Sequence, residues 1–289
     1  MPKENTHLFF ADKILEAIEE GALKSIISLH SYHYYLGAIA PDIFYYGTKG
    51  HVNIVSEKLH GKDGYPTNKI ILEILETSKD KKDLAFTIGY ITHCAFDITF
   101  HPVIDSIARD YSDKDLDKTD SATYMHRYIE TCIDNRVNPD FLMGKLIRAY
   151  LIEKLTFTKI VSREFGLSAS QIKRTLERQL FFNRLFRSET AFKIACLLNK
   201  LGILKNKTYL GLFYGNLKKE NIVIRDSLKY KTASTGGEDV CDINDMIEGA
   251  MHTAMQMIRT GYDYYCGEIT KQECTKIISG ESLSPEDNS

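Results

Sequence analysis

Apolar residues recur along this chain at the three-to-four-residue spacing of helices, and no run alternates convincingly with the period of a half-buried strand. Asn5-Thr6 reads as a helix cap followed by His7, with Leu8, Ile14, Leu15 and Ile18 on one apolar face and Gly21 as the stop. A second helical stretch runs from Leu23 to about Tyr35. Ala-Pro-Asp at 40–42 breaks the pattern and leaves a carboxylate at the break, because a residue ahead of proline is pushed out of helical geometry. Residues 47–66, rich in Gly, Lys and His, read as a loop. Further helices are expected at 67–78, 82–100, 120–137, 141–166, 171–186, 188–203 and 242–262. Tyr111–Asp120 reads as a solvated loop, Ala233–Asp239 as a turn, and 279–289 as a disordered polar tail. The pattern specifies an all-α protein with no internal repeat, long enough for one large domain or two small ones.

The most apolar stretch, 86–102, departs from its own pattern. It carries His93, Asp97 and His101, four residues apart and so on one face of a helix. Such groups are costly to bury without partners, and a divalent cation is the simplest partner for all three. Pro102 disfavours helical geometry at His101, which predicts that this residue sits where the helix frays. His126 and Glu130 form a second pair at i, i+4, a spacing suited to one metal ion. A lone helical histidine is usually a packing residue. The combination is more specific: HxxxDxxxH, then HxxxE, after an upstream Asp and His in non-helical segments. His30, His33 and His252 fit no ligand spacing and read as structural.

In this order, His7, Ala-Pro-Asp42, a loop histidine, His93-xxx-Asp97-xxx-His101 and His126-xxx-Glu130, the chain resembles the zinc-dependent phospholipase C family. That family includes bacterial phosphatidylcholine-cleaving phospholipases and clostridial alpha-toxin, and is structurally related to the S1/P1 nucleases. The resemblance implies a single multi-helix, phospholipase C/P1 nuclease-like domain over 1–278, with two or three zinc ions. It implies that Asp42, a loop histidine, His93 and Asp97 hold one zinc, that His101, His126 and Glu130 hold a second, and that His7 and Asp97 hold a third, with Asp97 bridging. For the loop histidine, His60 in Leu-His-Gly-Lys-Asp-Gly is preferred to His51. By the same analogy Asp42 orients or deprotonates the attacking water. The chain departs from the pattern in having no Trp, the residue whose amino group and carbonyl complete the third zinc in secreted members. Its His93–His101 span is also tighter than theirs.

Composition refines this reading. Hydrophobic content of 43% and charged content of 26% describe a globular chain, and the net charge of −2 singles out no partner. The distribution is uneven: Phe141–Lys231 carries 19 basic and 6 acidic residues, so it stands at +13 against −15 for the remainder. Either two oppositely charged parts pack together, or a basic surface meets an anionic headgroup or backbone. Six cysteines without a CxxC pair exclude a disulfide framework or a zinc knuckle. The opening residues contain no apolar signal region and no apolar run reaches membrane-spanning length, so a cytoplasmic location is expected.

Imidazole and carboxylate ligands without thiolate suit zinc. Clustered zinc polarises phosphoryl oxygens and lowers the pKa of bound water toward about 7. The expected activity is phosphodiester hydrolysis on a phospholipid or similar substrate. The alternatives are an S1/P1-like nuclease and a non-catalytic metal-binding protein on the same scaffold. Without a base-stacking platform, no stable nucleic-acid partner is expected. Phe44, Tyr45, Tyr46 and Tyr65 are candidates to line a substrate pocket or to anchor the core. Leu180–Arg187, with its Phe and Arg residues, is a candidate for peripheral membrane contact if its apolar face is not buried.

Overall fold

The computed structural model describes residues 3–48, 50–112, 118–137, 143–204, 206–218, 227–231 and 238–283. Within them the chain forms helices α1 (Glu4–Ala17), α2 (Ala22–Leu29), α3 (Ser31–Gly37), α4 (Gly50–Leu59), α5 (Lys69–Thr77), α6 (Lys81–Ser112) and α7 (Lys118–Val137). They are followed by α8 (Met143–Leu146), α9 (Thr156–Phe165), α10 (Ala169–Phe186), α11 (Glu189–Lys200), α12 (Ile243–Cys266) and α13 (Lys271–Ile277). Short 3-10 turns join several of them, and the one at Ala40–Tyr46 carries Asp42. The all-α expectation holds, with one addition. β1 (Ser227–Lys231) and β2 (Glu238–Asp242) pair antiparallel from Ser227↔Asp242 to Lys231↔Glu238. Ser227–Lys231 alternates polar and apolar over its five residues, but Glu238–Asp242 does not, so the pairing is not marked in both strands. Among the described residues no helix is long and apolar enough to cross a membrane.

α6 organises the rest. Leu84, Phe86, Ile88, Tyr90, Ile91, Phe96, Phe100 and Ile104 are all buried, so apolar residues flank both sides of the helix's buried polar stripe. A helix of that kind must be enclosed, and α1, α3, α5, α7 and α12 enclose it. Its closest neighbour is α3. A Cβ on Gly37 would stand 1.9 Å from the Phe86 carbonyl oxygen, and one on Gly89 would stand 1.9 Å from that of Tyr34. The two backbones meet at this distance only because both positions are glycine. The crossing brings the carbonyl at the end of α3 onto the polar stripe of α6.

Five local expectations change. α6 does not end near Pro102 but continues through it to Ser112. Proline removes one ladder hydrogen bond, yet His101, Val103 and Ile104 beside it are buried, and that packing carries the helix onward. The expected loop at 47–66 contains α4, whose Val52, Val55 and Leu59 face the core at helical spacing. The stretch 141–166 is broken into α8, a 3-10 turn at Ala149–Lys154 and α9, and 23–35 is broken at His30, which leaves helical geometry. The start of the tail is docked rather than free. The Thr67 amide donates to the Gly280 carbonyl at 3.1 Å, and Leu283 is fully buried. Residues 284–289 lie outside the described residues, as do 113–117 and 232–237 of the two predicted turns.

Candidate metal centre

Four elements deliver the polar side chains to one place. His7 lies in the first turn of α1, which is anchored from both sides. Asp134 of α7 accepts from the Thr6 amide at 2.7 Å, the Thr6 hydroxyl at 2.8 Å and Asn5 Nδ2 at 3.2 Å, placing an anion at the helix N-terminus where the dipole favours it. Glu4 accepts from the Tyr46 hydroxyl at 2.5 Å and from Gln179 and Asn183 at 3.2 Å. Asp42 sits in a turn pinned by Ser56, whose hydroxyl donates to the Pro41 carbonyl at 2.5 Å and accepts from the Phe44 amide at 3.1 Å. His60 follows α4, and its own carbonyl accepts from the Leu283 amide at 3.0 Å and the Ser282 hydroxyl at 3.2 Å. α6 supplies His93, Asp97 and His101, all buried.

The geometry is that of a cation-binding cluster. His60 Nε2 lies 3.3 Å from both Asp42 Oδ1 and Asp97 Oδ2; His93 Nε2 lies 3.7 Å and 3.1 Å from the same two oxygens; and the two Nε2 atoms are 3.2 Å apart. Ligands around one tetrahedral zinc at ~2.0–2.1 Å stand about 3.3 Å from one another, and His60, His93 and Asp97 keep that spacing among themselves, while His7, Asp42 and His93 form a second group able to hold an ion. The other Asp97 oxygen, Oδ1, is 3.4 Å from His7 Nε2, which is 3.9 Å from Asp42 Oδ2. His101 Nε2 lies 3.5 Å from Asp97 Oδ2. Asp97 thus turns its two oxygens toward different histidines, as a bridging carboxylate does.

Hydrogen bonding points the same way. His60 Nδ1 lies 2.6 Å from the Ser56 carbonyl and His93 Nδ1 lies 3.0 Å from the Ala38 carbonyl. A carbonyl only accepts, so each Nδ1 carries the proton and each neutral ring presents a bare Nε2 to the cluster. Two such lone pairs facing each other repel unless a proton or a metal ion lies between them. Both oxygens of Asp97, Oδ1 of Asp42, Nε2 of His101 and both ring nitrogens of His7 are buried without a hydrogen bond. Groups of this kind are normally satisfied, and bound cations would satisfy those that face the cluster, among them His7 Nε2 beside Asp97.

Burial would raise the carboxyl pKa values, but the surrounding histidines, His93 foremost, outweigh it and hold Asp42 below and Asp97 well below the usual range. Burial pulls His7 down to about 3, which keeps it a neutral donor. Burial also opposes a charge on His60, yet Asp42 and Asp97 outweigh it and lift this ring to about 9. Two anions in the core therefore draw positive charge, and without a metal a proton on His60 supplies part of it.

His126 and Glu130 lie beside this group. The His126 and His101 rings are 5.9 Å apart. His126 Nε2 is 2.8 Å from Glu130 Oε1, and its Nδ1 is 2.8 Å from Asp105 Oδ1. A neutral ring has one N–H for these two contacts, so the other needs a proton or a cation between ring and carboxylate. Asp105 was not anticipated. It continues the four-residue series of His93, Asp97 and His101 by one more turn, a signal hidden by reading Pro102 as a helix end. His51 is exposed on α4, and His30 and His33 pair with each other 5.9 Å apart, outside the cluster.

A family model described as zinc-dependent phospholipase C matches residues 6–180, an interval that contains every residue of the cluster. Comparison with curated proteins and with solved structures finds no match.

Proposed function

The chain belongs to the zinc-dependent phospholipase C family, and we propose that it hydrolyses the phosphodiester bond of a phospholipid at this cluster. The observation that carries the reading is a buried cluster in which His60, His93 and Asp97 stand 3.1–3.3 Å apart, with Oδ1 of Asp42 and both oxygens of Asp97 left without hydrogen bonds. Bound zinc supplies Lewis acidity toward phosphoryl oxygens and a lowered pKa for the attacking water.

The remaining work falls to the protein. The Ser56 and Ala38 carbonyls hold His60 and His93 in the Nδ1–H tautomer, so that both Nε2 atoms are ready to ligate without reorganisation. Asp97 would be shared between ions; His101, His126 and Glu130 would hold a second ion, with Asp105 orienting the His126 ring, and His7 would join Asp97 in holding a third. Asp42 turns Oδ1 toward the His60–His93 set and Oδ2 toward His7, a placement suited to orienting the attacking water, while its depressed pKa leaves deprotonation of that water to the metal's acidity. Tyr45, partly exposed and 5.8 Å ring to ring from His60, flanks the approach to the site.

The test is turnover by zinc-loaded chain of phosphatidylcholine and of a soluble p-nitrophenyl phosphodiester. The expected result is release of phosphocholine and p-nitrophenol, lost on chelation, restored by zinc and abolished in Asp42→Asn. Cleavage of single-stranded oligonucleotides alone would move the chain to the nuclease reading, and zinc binding without turnover of any diester would leave only a metal-binding protein.

A further inference from the structure

α11 has two apolar faces where the fold uses only one. Phe192 and Ala195 turn inward to a satellite cluster with Phe186 and Phe213, the Phe192 and Phe213 rings lying 5.7 Å apart. Ile194, Leu197 and Leu201 occupy another face at i, i+3 and i+7. With Ile203 in the turn that follows, they are 53% to 65% exposed, and among the described residues nothing covers them. Isolated exposed apolar residues are ordinary, but four large aliphatic side chains within ten positions form a patch.

Its charge setting is specific. Exposed Lys193 and Lys200 stand beside Leu197 on the same helix, and Arg174–Lys207 carries eight basic and two acidic residues. The patch is also joined to the metal centre. The 3-10 turn bearing Asp42 ends at Tyr46, whose ring stacks on Phe182 at 6.0 Å, and Phe182 stacks in turn on Phe186 of the satellite cluster. In the Leu180–Arg187 stretch of α10, Asn183 and Phe186 turn inward, while Phe181 is 59% exposed on the helix that supports α11.

We propose that α11 and the Leu201–Leu204 turn form the surface on which the protein docks to an anionic phospholipid bilayer. This rests on the phospholipase reading above and assigns where the lipid surface meets the chain. Aliphatic side chains ringed by lysines match the two layers of such a surface, acyl chains below and negative headgroups above. A second copy fits less well, because a two-fold contact would set this basic face against itself. A nucleic acid would leave the aliphatic centre unused.

The test is flotation of the zinc-loaded chain with phosphatidylcholine vesicles made with and without phosphatidylglycerol. Binding is expected to the anionic vesicles, weakening with salt. Leu197→Glu/Leu201→Glu is expected to lower vesicle affinity more than tenfold. Lys193→Ala and Lys200→Ala are each expected to lower it about fivefold, the equivalent of ~1 kcal/mol per basic residue near an anionic surface. All three variants should keep parental turnover of the soluble p-nitrophenyl diester, which shows that they fold. Wild-type chain that turns over the soluble diester but does not float with anionic vesicles overturns the inference while leaving the enzymatic reading intact. Floating chain with no turnover sinks that reading and keeps the docking surface. A dimer that Leu197→Glu/Leu201→Glu dissociates, without loss of vesicle binding, would reassign the patch to a second copy.

Discussion

Asp97→Asn separates a metal bridge from a buried carboxylate that merely accepts histidine protons. Asp97 is fully buried, and His7, His60, His93 and His101 all present Nε2 to it at 3.1–3.5 Å. The amide keeps the shape, loses the charge, and offers one oxygen where the carboxylate offers two facing different histidines. Loss of such a contact should weaken zinc at least a hundredfold, the upper end of what residues that only orient ligands produce. A site filled at a thousandfold excess over its Kd stabilises the fold by about 4.1 kcal/mol. After a hundredfold weakening about 1.4 kcal/mol remains, so the variant forfeits about 2.7 kcal/mol of zinc-dependent stability, or roughly 5–11 °C in Tm for a chain of this size. The assay is thermal unfolding of parent and variant, each with zinc and after chelation, so that any cost to folding alone cancels within each protein. The zinc-induced rise in Tm should shrink by that amount, and elemental analysis should show fewer ions per chain. An unchanged rise and ion count in Asp97→Asn would refute the bridging role.

Three further outcomes follow from the same geometry. Gly89→Ala places a Cβ 1.9 Å from the Tyr34 carbonyl oxygen; since neither backbone can yield, it should cost about 3 kcal/mol or more in denaturant unfolding, and a parental midpoint would contradict the close crossing of α3 and α6. The His60 pKa in the folded, metal-free chain, about 9, lies above the ordinary histidine value. Its contribution to metal-free stability is therefore complete below about pH 6.5 and is lost as pH rises toward 9, whereas zinc affinity rises over the same window because the ring must shed its proton to ligate. Calorimetric titration at neutral pH in buffers of different ionisation enthalpy should show release of about one proton on this account, and no buffer dependence would count against it. Deleting 279–289 removes the two hydrogen bonds that the tail gives to the His60 carbonyl; zinc titration should then show about tenfold weaker binding, while equal affinity would mean that α4 alone fixes His60.

Much of the centre was legible because helical periodicity is a local property. His93, Asp97 and His101 share a face in any α-helix, as do His126 and Glu130, so their juxtaposition needed no tertiary information. What failed did so where packing overrode local chemistry. Proline at 102 is a helix breaker in isolation, but buried neighbours carry α6 past it, and the misread boundary concealed Asp105. The Gly- and His-rich composition of 47–66 hid α4, whose three core-facing residues outweigh its weak propensity. The anchoring of His7 by Asp134, and of His60 by a segment more than two hundred residues later, could not be read from spacing.

The most direct test of the central claim is an anomalous difference map, collected at the zinc edge, from crystals of the zinc-loaded chain. The account predicts one peak among Asp42, His60, His93 and Asp97, with further density bordering Asp97 toward His7 or toward the His101, His126 and Glu130 group. A map with no peak inside this cluster would contradict it.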